Sequence, residues 1–267
     1  MNRIKETFDR LKKEKKKAFI PYITAGDPNI QATKRLVQAL SRAGADIIEL
    51  GIPFSDPLAD GPTIQRAVFR SLKAGCTVGK ILRMVKEARN VVATPLIFMT
   101  YYNIVFNYGI ERFVKDAKKN GADGIIVPDL PLEESNDLIE VAYKNDFYVI
   151  LLAAPTTPLE RFKKIANRSR GFVYYVSLTG VTGARRKLSE KLKGEVRKLK
   201  KVSATPVCVG FGISNPVQAK EIAEVSDGVI LGSATINVME KYLPDKNKAV
   251  KEVEKFARSI ARAVHSA

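Results

Sequence analysis

Short apolar runs alternate with amphipathic segments along the whole chain. Residues 18–24, 47–50, 96–100, 124–127, 148–152, 172–177, 206–209 and 228–231 are nearly continuous apolar stretches. Such runs suit parallel strands covered on both faces. Between them the spacing turns helical. Leu36, Val37 and Leu40 face one way within 30–43, and Phe113, Val114 and Ala117 within 110–120. Val250, Val253, Phe256, Ala257 and Ile260 do the same within 246–264. Further helices are expected at 63–74, 78–90, 132–145, 158–167, 189–201 and 216–224. Ile4, Phe8 and Leu11 share a face ahead of the first strand, so a helix precedes it.

The joints repeat as well. Gly44-Ala45-Asp46 and Gly121-Ala122-Asp123 precede the second and fourth strands, and Ser226-Asp227-Gly228 precedes the eighth. In the first two, glycine ends a helix and a polar residue turns the chain. Eight strand–helix units point to the α/β class and a (β/α)8 TIM barrel, one domain over residues 1–267. It carries an extra N-terminal helix and extra helices after strands two and eight, the last at 234–239. A doubly wound open sheet would want a glycine-rich turn after its first strand, where Gly26 stands alone.

Composition narrows the class. The chain has 267 residues, with no apolar stretch long enough to span a membrane and no apolar leader at the charged N-terminus. Cys76 and Cys208 lie far apart, which fits a reducing, cytoplasmic setting without disulfides. The net charge of +17 raises the question of nucleic acid. The basic residues are mostly lysines spread over many helices, and no nucleic-acid-binding motif accompanies them. The reading is therefore no nucleic acid and no membrane.

In a barrel the chemistry sits at the carboxyl ends of the strands. The only histidine, His265, stands near the C-terminus, so a histidine-based triad is not expected. There is no His/Cys cluster for zinc, and no lysine at a strand end for a Schiff base. Carboxylate acid–base chemistry remains. Glu49 ends the second strand. As a solvated strand end it would do nothing; partly buried, it would have a raised pKa and could give and take a proton near neutrality. Asp60 follows on a loop stiffened by Pro53, Pro57 and Pro62. An aspartate before glycine is also an ordinary turn residue. Asp129, in Val127-Pro128-Asp129-Leu130-Pro131, reads as a bracing group. Gly210-Phe211-Gly212 after strand seven and Gly232-Ser233 after strand eight supply backbone N–H groups where such barrels seat phosphate. The long segment 177–185 carries glycines and reads as a closing lid.

The stretch Glu49-Leu50-Gly51-Ile52-Pro53-Phe54-Ser55-Asp56-Pro57-Leu58-Ala59-Asp60-Gly61-Pro62 resembles the signature of the tryptophan synthase alpha subunit family. Tyr22-Ile23-Thr24-Ala25-Gly26-Asp27-Pro28, Asp129-Leu130-Pro131, Gly180-Val181-Thr182-Gly183 and Gly210-Phe211-Gly212-Ile213 extend the likeness over the whole chain. The resemblance implies retro-aldol cleavage of indole-3-glycerol phosphate to indole and glyceraldehyde 3-phosphate, with no cofactor and no metal. It implies Glu49 as the acid–base group and Asp60 as the carboxylate on the indole N–H. Tyr22, Tyr101, Tyr174, Thr182 and Phe211 would line the substrate pocket. Gly183, Gly212, Gly232 and Ser233 would surround the phosphate. Tyr22 stands where many members have phenylalanine, and Thr100 and Tyr101-Tyr102 are more polar than usual there. The family works with a beta subunit in an α2β2 complex, which the loop from Pro53 to Asp60 would touch. A stand-alone lyase releasing free indole and a catalytically silent phosphate-binding barrel are the alternatives.

Overall fold

A computed structural model describes residues 2–176, 190–210 and 212–267. The elements run α1 (Arg3–Lys13), β1 (Ala18–Thr24), α2 (Ile30–Arg42), β2 (Ile48–Gly51), α3 (Pro62–Lys73), α4 (Val78–Ala88) and β3 (Leu96–Met99). Then come α5 (Tyr102–Tyr108), α6 (Ile110–Lys119), β4 (Gly124–Ile126), α7 (Asn136–Lys144), β5 (Tyr148–Ile150) and β6 (Leu152–Ala153). The chain ends with α8 (Leu159–Arg168), β7 (Val173–Val176), α9 (Glu190–Val202), β8 (Val207–Gly210), α10 (Pro216–Ala223), β9 (Gly228–Leu231), α11 (Ser233–Lys241) and α12 (Lys246–His265).

All the pairings are parallel, in the order β5-β4-β3-β2-β1-β9-β8-β7-β6. The two ends of that order, β5 and β6, are halves of the expected strand 148–152. β5 bonds to β4 and β6 bonds to β7, so the fifth strand closes an eight-position barrel. The break falls at Leu151, whose N–H donates to the Ser169 hydroxyl (3.0 Å) while its carbonyl accepts from Tyr174 N–H (3.0 Å).

Alternation along each strand divides the core. Ala18, Ile20, Ile47, Ile97, Ile126, Ile150, Cys208 and Ile230 pack together inside the barrel. Residues of opposite parity, such as Phe19, Ile48, Leu50, Phe98 and Val209, pack under the helices. The N-terminal helix closes the amino end of the barrel, with Ile4 and Leu11 buried against the interior cluster. Asn2 fixes its entry: the side-chain amide donates to the carbonyls of Asp123 and Asp146, both at 2.9 Å, and its oxygen accepts from Ile4 N–H. Buried Asp123 also pairs with Arg3 (2.8 Å) and Arg89 (2.6 Å).

The helices after strands two and eight are present as expected. Two details differ. A helix not foreseen, α5, follows the third strand; its first N–H, at Tyr102, donates to Asp129 Oδ1 at 2.9 Å. The expected helix 132–145 opens as a 3-10 turn at Leu132–Glu134, and the α-helix starts only at Asn136. Tyr175 points out of the barrel and donates to Glu195 (3.2 Å), whereas Tyr174 points in.

Candidate active site

Glu49 shares the inward parity of Ile47 on the second strand. Its register partners are Tyr22 on β1 and Ile97 on β3. It is fully buried, and among the described residues neither carboxylate oxygen has a hydrogen-bond partner. Burial alone disfavours the charged form, and the nearby Asp60 charge adds to this. Together they push the Glu49 carboxyl up to about 8.

Asp60 comes in from the loop after β2. That loop is held by turn bonds from Leu58 N–H to Asp56 and from Asp60 N–H to Pro57, at 2.9 and 3.0 Å. Ala59 N–H donates to the Tyr101 hydroxyl at 2.9 Å, and the Phe54 ring lies 5.4 Å from the Tyr101 ring. Pro62 then opens α3 at a position where a missing N–H costs nothing. Burial raises the Asp60 carboxyl to about 6, while a hydrogen bond from Tyr101 opposes the rise. The two carboxyls are thus pulled apart: the deeper burial of Glu49 and the Asp60 charge beside it favour its protonated form up to higher pH than for Asp60.

Two aromatic rings flank Glu49, and each lies against a glycine. A Cβ built on Gly51 would stand 2.1 Å from the Tyr22 hydroxyl, and one on Gly210 would stand 2.3 Å from Tyr174 Cε2. Any side chain at either place would displace the ring. The Tyr22 hydroxyl lies 3.2 Å from Thr24 Oγ1, so the extra polar group anticipated at this position has a partner. Burial raises the Tyr22, Tyr101 and Tyr174 phenols, so all three stay neutral.

Gly232 is the N-cap residue of α11, and no side chain caps that helix. Ser233, its first residue, is exposed, and an uncapped helix N-terminus suits an anion. Gly212 is exposed after β8. Thr182, Gly183, Phe211 and the expected lid lie outside the described residues. Sequence reasoning missed Met99 and Ile64, which pack against a cluster of Tyr22, Ala67 and Ile236. Met99, not Thr100, continues the inward parity of Ile97. Alternation counted from Glu49 and Ile97 would have found Met99.

Residues 8–265 match the family model for the tryptophan synthase alpha chain. The chain belongs to the tryptophan synthase alpha chain family. The alpha chain of Geotalea daltonii is 50% identical over 242 residues, covering 91% of this chain and 92% of that one. That of Caldanaerobacter subterraneus is 48% identical over 260 residues, covering 97% and 98%. The crystal structure of the alpha subunit from Legionella pneumophila superposes with a TM-score of 0.93 at 40% identity, over 100% of both chains. Membership makes the chain a carbon–carbon lyase that cleaves indole-3-glycerol phosphate in tryptophan biosynthesis.

Proposed function

We propose that Glu49 and Asp60 carry the cleavage of indole-3-glycerol phosphate within one barrel domain spanning residues 1–267. What supports this is the contrast between two neighbouring carboxyls: Glu49 is fully buried with no hydrogen-bond partner among the described residues and is raised to about 8, whereas Asp60 accepts from Tyr101 and is raised only to about 6. Glu49 gives its proton to indole C3, and positive charge develops on the ring nitrogen. Asp60 accepts a hydrogen bond from that N–H, which strengthens as the charge grows and so favours the transition state over the substrate. The Glu49 carboxylate then takes the proton of the adjoining side-chain hydroxyl. The C–C bond breaks, its electron pair restores the aromatic ring, and the aldehyde leaves as glyceraldehyde 3-phosphate. Glu49 ends protonated, ready for another turnover, and these steps call on no cofactor.

Tyr22, Tyr101, Tyr174 and Phe211 border the indole in this reading. Gly183, Gly212, Gly232 and Ser233 take the phosphate, and Thr182 belongs to the lid. The reaction takes place in the cytoplasm, where the buried free thiols of Cys76 and Cys208 persist. Among the described residues no helix is long and apolar enough to cross a membrane.

The partner is a tryptophan synthase beta subunit. An apolar groove between residues 55–58 and α3 supports this: Leu58 is 93% exposed and Phe69 is 69% exposed. Exposed apolar groups gathered on one face mark association sites. The same loop carries Asp60, so a partner seated there bears directly on the catalytic carboxylate. Adding beta subunit to the purified chain should accelerate indole release, and Phe69→Asp should weaken the response. Release unchanged by beta subunit would favour a stand-alone lyase.

A further inference from the structure

The opposite end of the barrel holds a cleft that the reaction does not use. It encloses about 760 Å³ between the end of α1 and the turns that lead into β5, β7, β8 and β9. Glu49 and Asp60 belong to the other end, where the strands finish. Cations reach this cleft from three separate stretches: Lys12, Lys15 and Lys17 from α1 and its exit turn, Arg170 from the turn before β7, and Lys200 from α9. Two lining carboxylates are already engaged, Asp9 with Lys5 at 2.6 Å and Asp227 with Lys200 at 2.8 Å. Among the described residues, Lys12, Lys15, Lys17 and Arg170 have no carboxylate partner. Two aromatic side chains, Phe8 and Tyr148, are part of its lining, and the Arg170 guanidinium is stacked on Tyr143 just outside it, 4.1 Å from the ring centroid.

Lys15 adds an independent observation. Its φ is 56°, in the left-handed region. The turn around it is a full helix stop: Lys16 N–H donates to Leu11 and Lys15 N–H to Lys12, at 2.9 and 3.2 Å. Glycine usually occupies that position because a side chain there is strained. Here a lysine occupies it and brings its charge to the mouth of the cleft.

We propose that this cleft binds an oligophosphate, a small ligand carrying several linked phosphates. Its charge matches the unpaired cations, and the volume lies within the range of small-molecule sites. A single phosphate would engage only part of this spread of cations.

The test is calorimetric titration of the whole chain with tripolyphosphate at physiological ionic strength. Excess glycerol 3-phosphate keeps the other end of the barrel occupied. One saturable site should appear, at least about tenfold tighter than for orthophosphate, since more cations are engaged. The double variant Lys15→Gly, Lys17→Gln should lose about tenfold or more in affinity while its indole release stays unchanged. Lys15→Gly alone should raise the melting temperature by relieving the left-handed lysine, which separates loss of the site from loss of the fold. Adenosine triphosphate distinguishes the sources: tighter binding than tripolyphosphate assigns a nucleotide stacked on the lining aromatics, and equal binding assigns the phosphate chain itself. Absence of saturable tripolyphosphate binding, or equal binding by the double variant, overturns the proposal. Duplex RNA binding that the double variant abolishes, with no response to tripolyphosphate, would assign the cleft to nucleic acid instead.

Discussion

Replacing Glu49 by glutamine should stabilise the protein, and the gain should depend on pH in a defined way. The carboxyl is raised from 4.5 to about 8 in the folded chain. A group raised on folding contributes its stability below the unfolded value and loses it as pH climbs through the folded one. The window therefore runs from pH 4.5 to about 8. Within it the wild-type chain loses about 1.4 kcal/mol per pH unit, roughly 3 kcal/mol by pH 7 and roughly 5 kcal/mol above pH 8. That is a large share of the 5–15 kcal/mol or so that holds a typical domain together. Glutamine has nearly the same shape and no charge to bury, so it mimics protonated Glu49 at every pH. Asp60 titrates below Glu49, while Glu49 is still neutral as glutamine is, so its titration largely cancels between the two proteins. Urea unfolding of both proteins from pH 4 to 9 gives the difference directly. It should be near zero at pH 4, grow through neutrality and level off above pH 8. A difference that stays flat across that range would refute the buried, partnerless state of Glu49.

Other outcomes follow from single contacts. Asp60→Asn keeps a hydrogen-bond acceptor but loses the charge that answers the indole nitrogen; turnover should fall about 10²–10³-fold with an unchanged circular dichroism spectrum, and a loss under tenfold contradicts the role. Tyr101→Phe removes the bond that holds Asp60 down toward 6, so the acidic limb of the pH–turnover profile should move to higher pH; a shift the other way would show that Asp60 is not the group titrating there. Gly51→Ala puts a carbon 2.1 Å from the Tyr22 hydroxyl, which should cost about 1–3 kcal/mol in urea unfolding and raise KM; wild-type values for both would mean the ring moves freely. Asp123→Ala strips the acceptor from Arg3, Arg89 and the Leu96 N–H and should cost about 3–5 kcal/mol, checked by the same unfolding method.

The barrel was legible because its strands and helices repeat with different periods over eight units. The run Ile47-Ile48 is apolar on both faces, so the sequence put Glu49 at the end of a strand but not on its inner side; the packing of Ile47 inside the barrel and of Ile48 under the helices decides that. That Glu49 has no partner among the described residues does not follow from the sequence, because its surroundings come from strands distant in the chain. The break at Leu151 was hidden for the same reason: its N–H is taken by a serine 18 residues later. Helix α5 was missed because the seven residues of Tyr102–Tyr108 are too few to show a period, and its start is fixed by Asp129. Asp129 itself was read correctly as a brace. Reading Thr100 as the polar end of the third strand overlooked that Met99 faces the interior and Thr100 does not. Tyr22 against Gly51 and Tyr174 against Gly210 are close approaches between neighbouring strands. A sequence shows the glycine in each case, but not the ring that needs the space.

The central claim is that a protonated Glu49 delivers the proton that starts cleavage. Its most direct test is the rate of indole formation from indole-3-glycerol phosphate by the wild-type chain and by Glu49→Gln, with substrate binding measured for both. The expected result is cleavage by the wild type, bound substrate in both proteins, and a loss of several orders of magnitude in the variant. Glutamine at position 49 with turnover close to wild type would contradict the account.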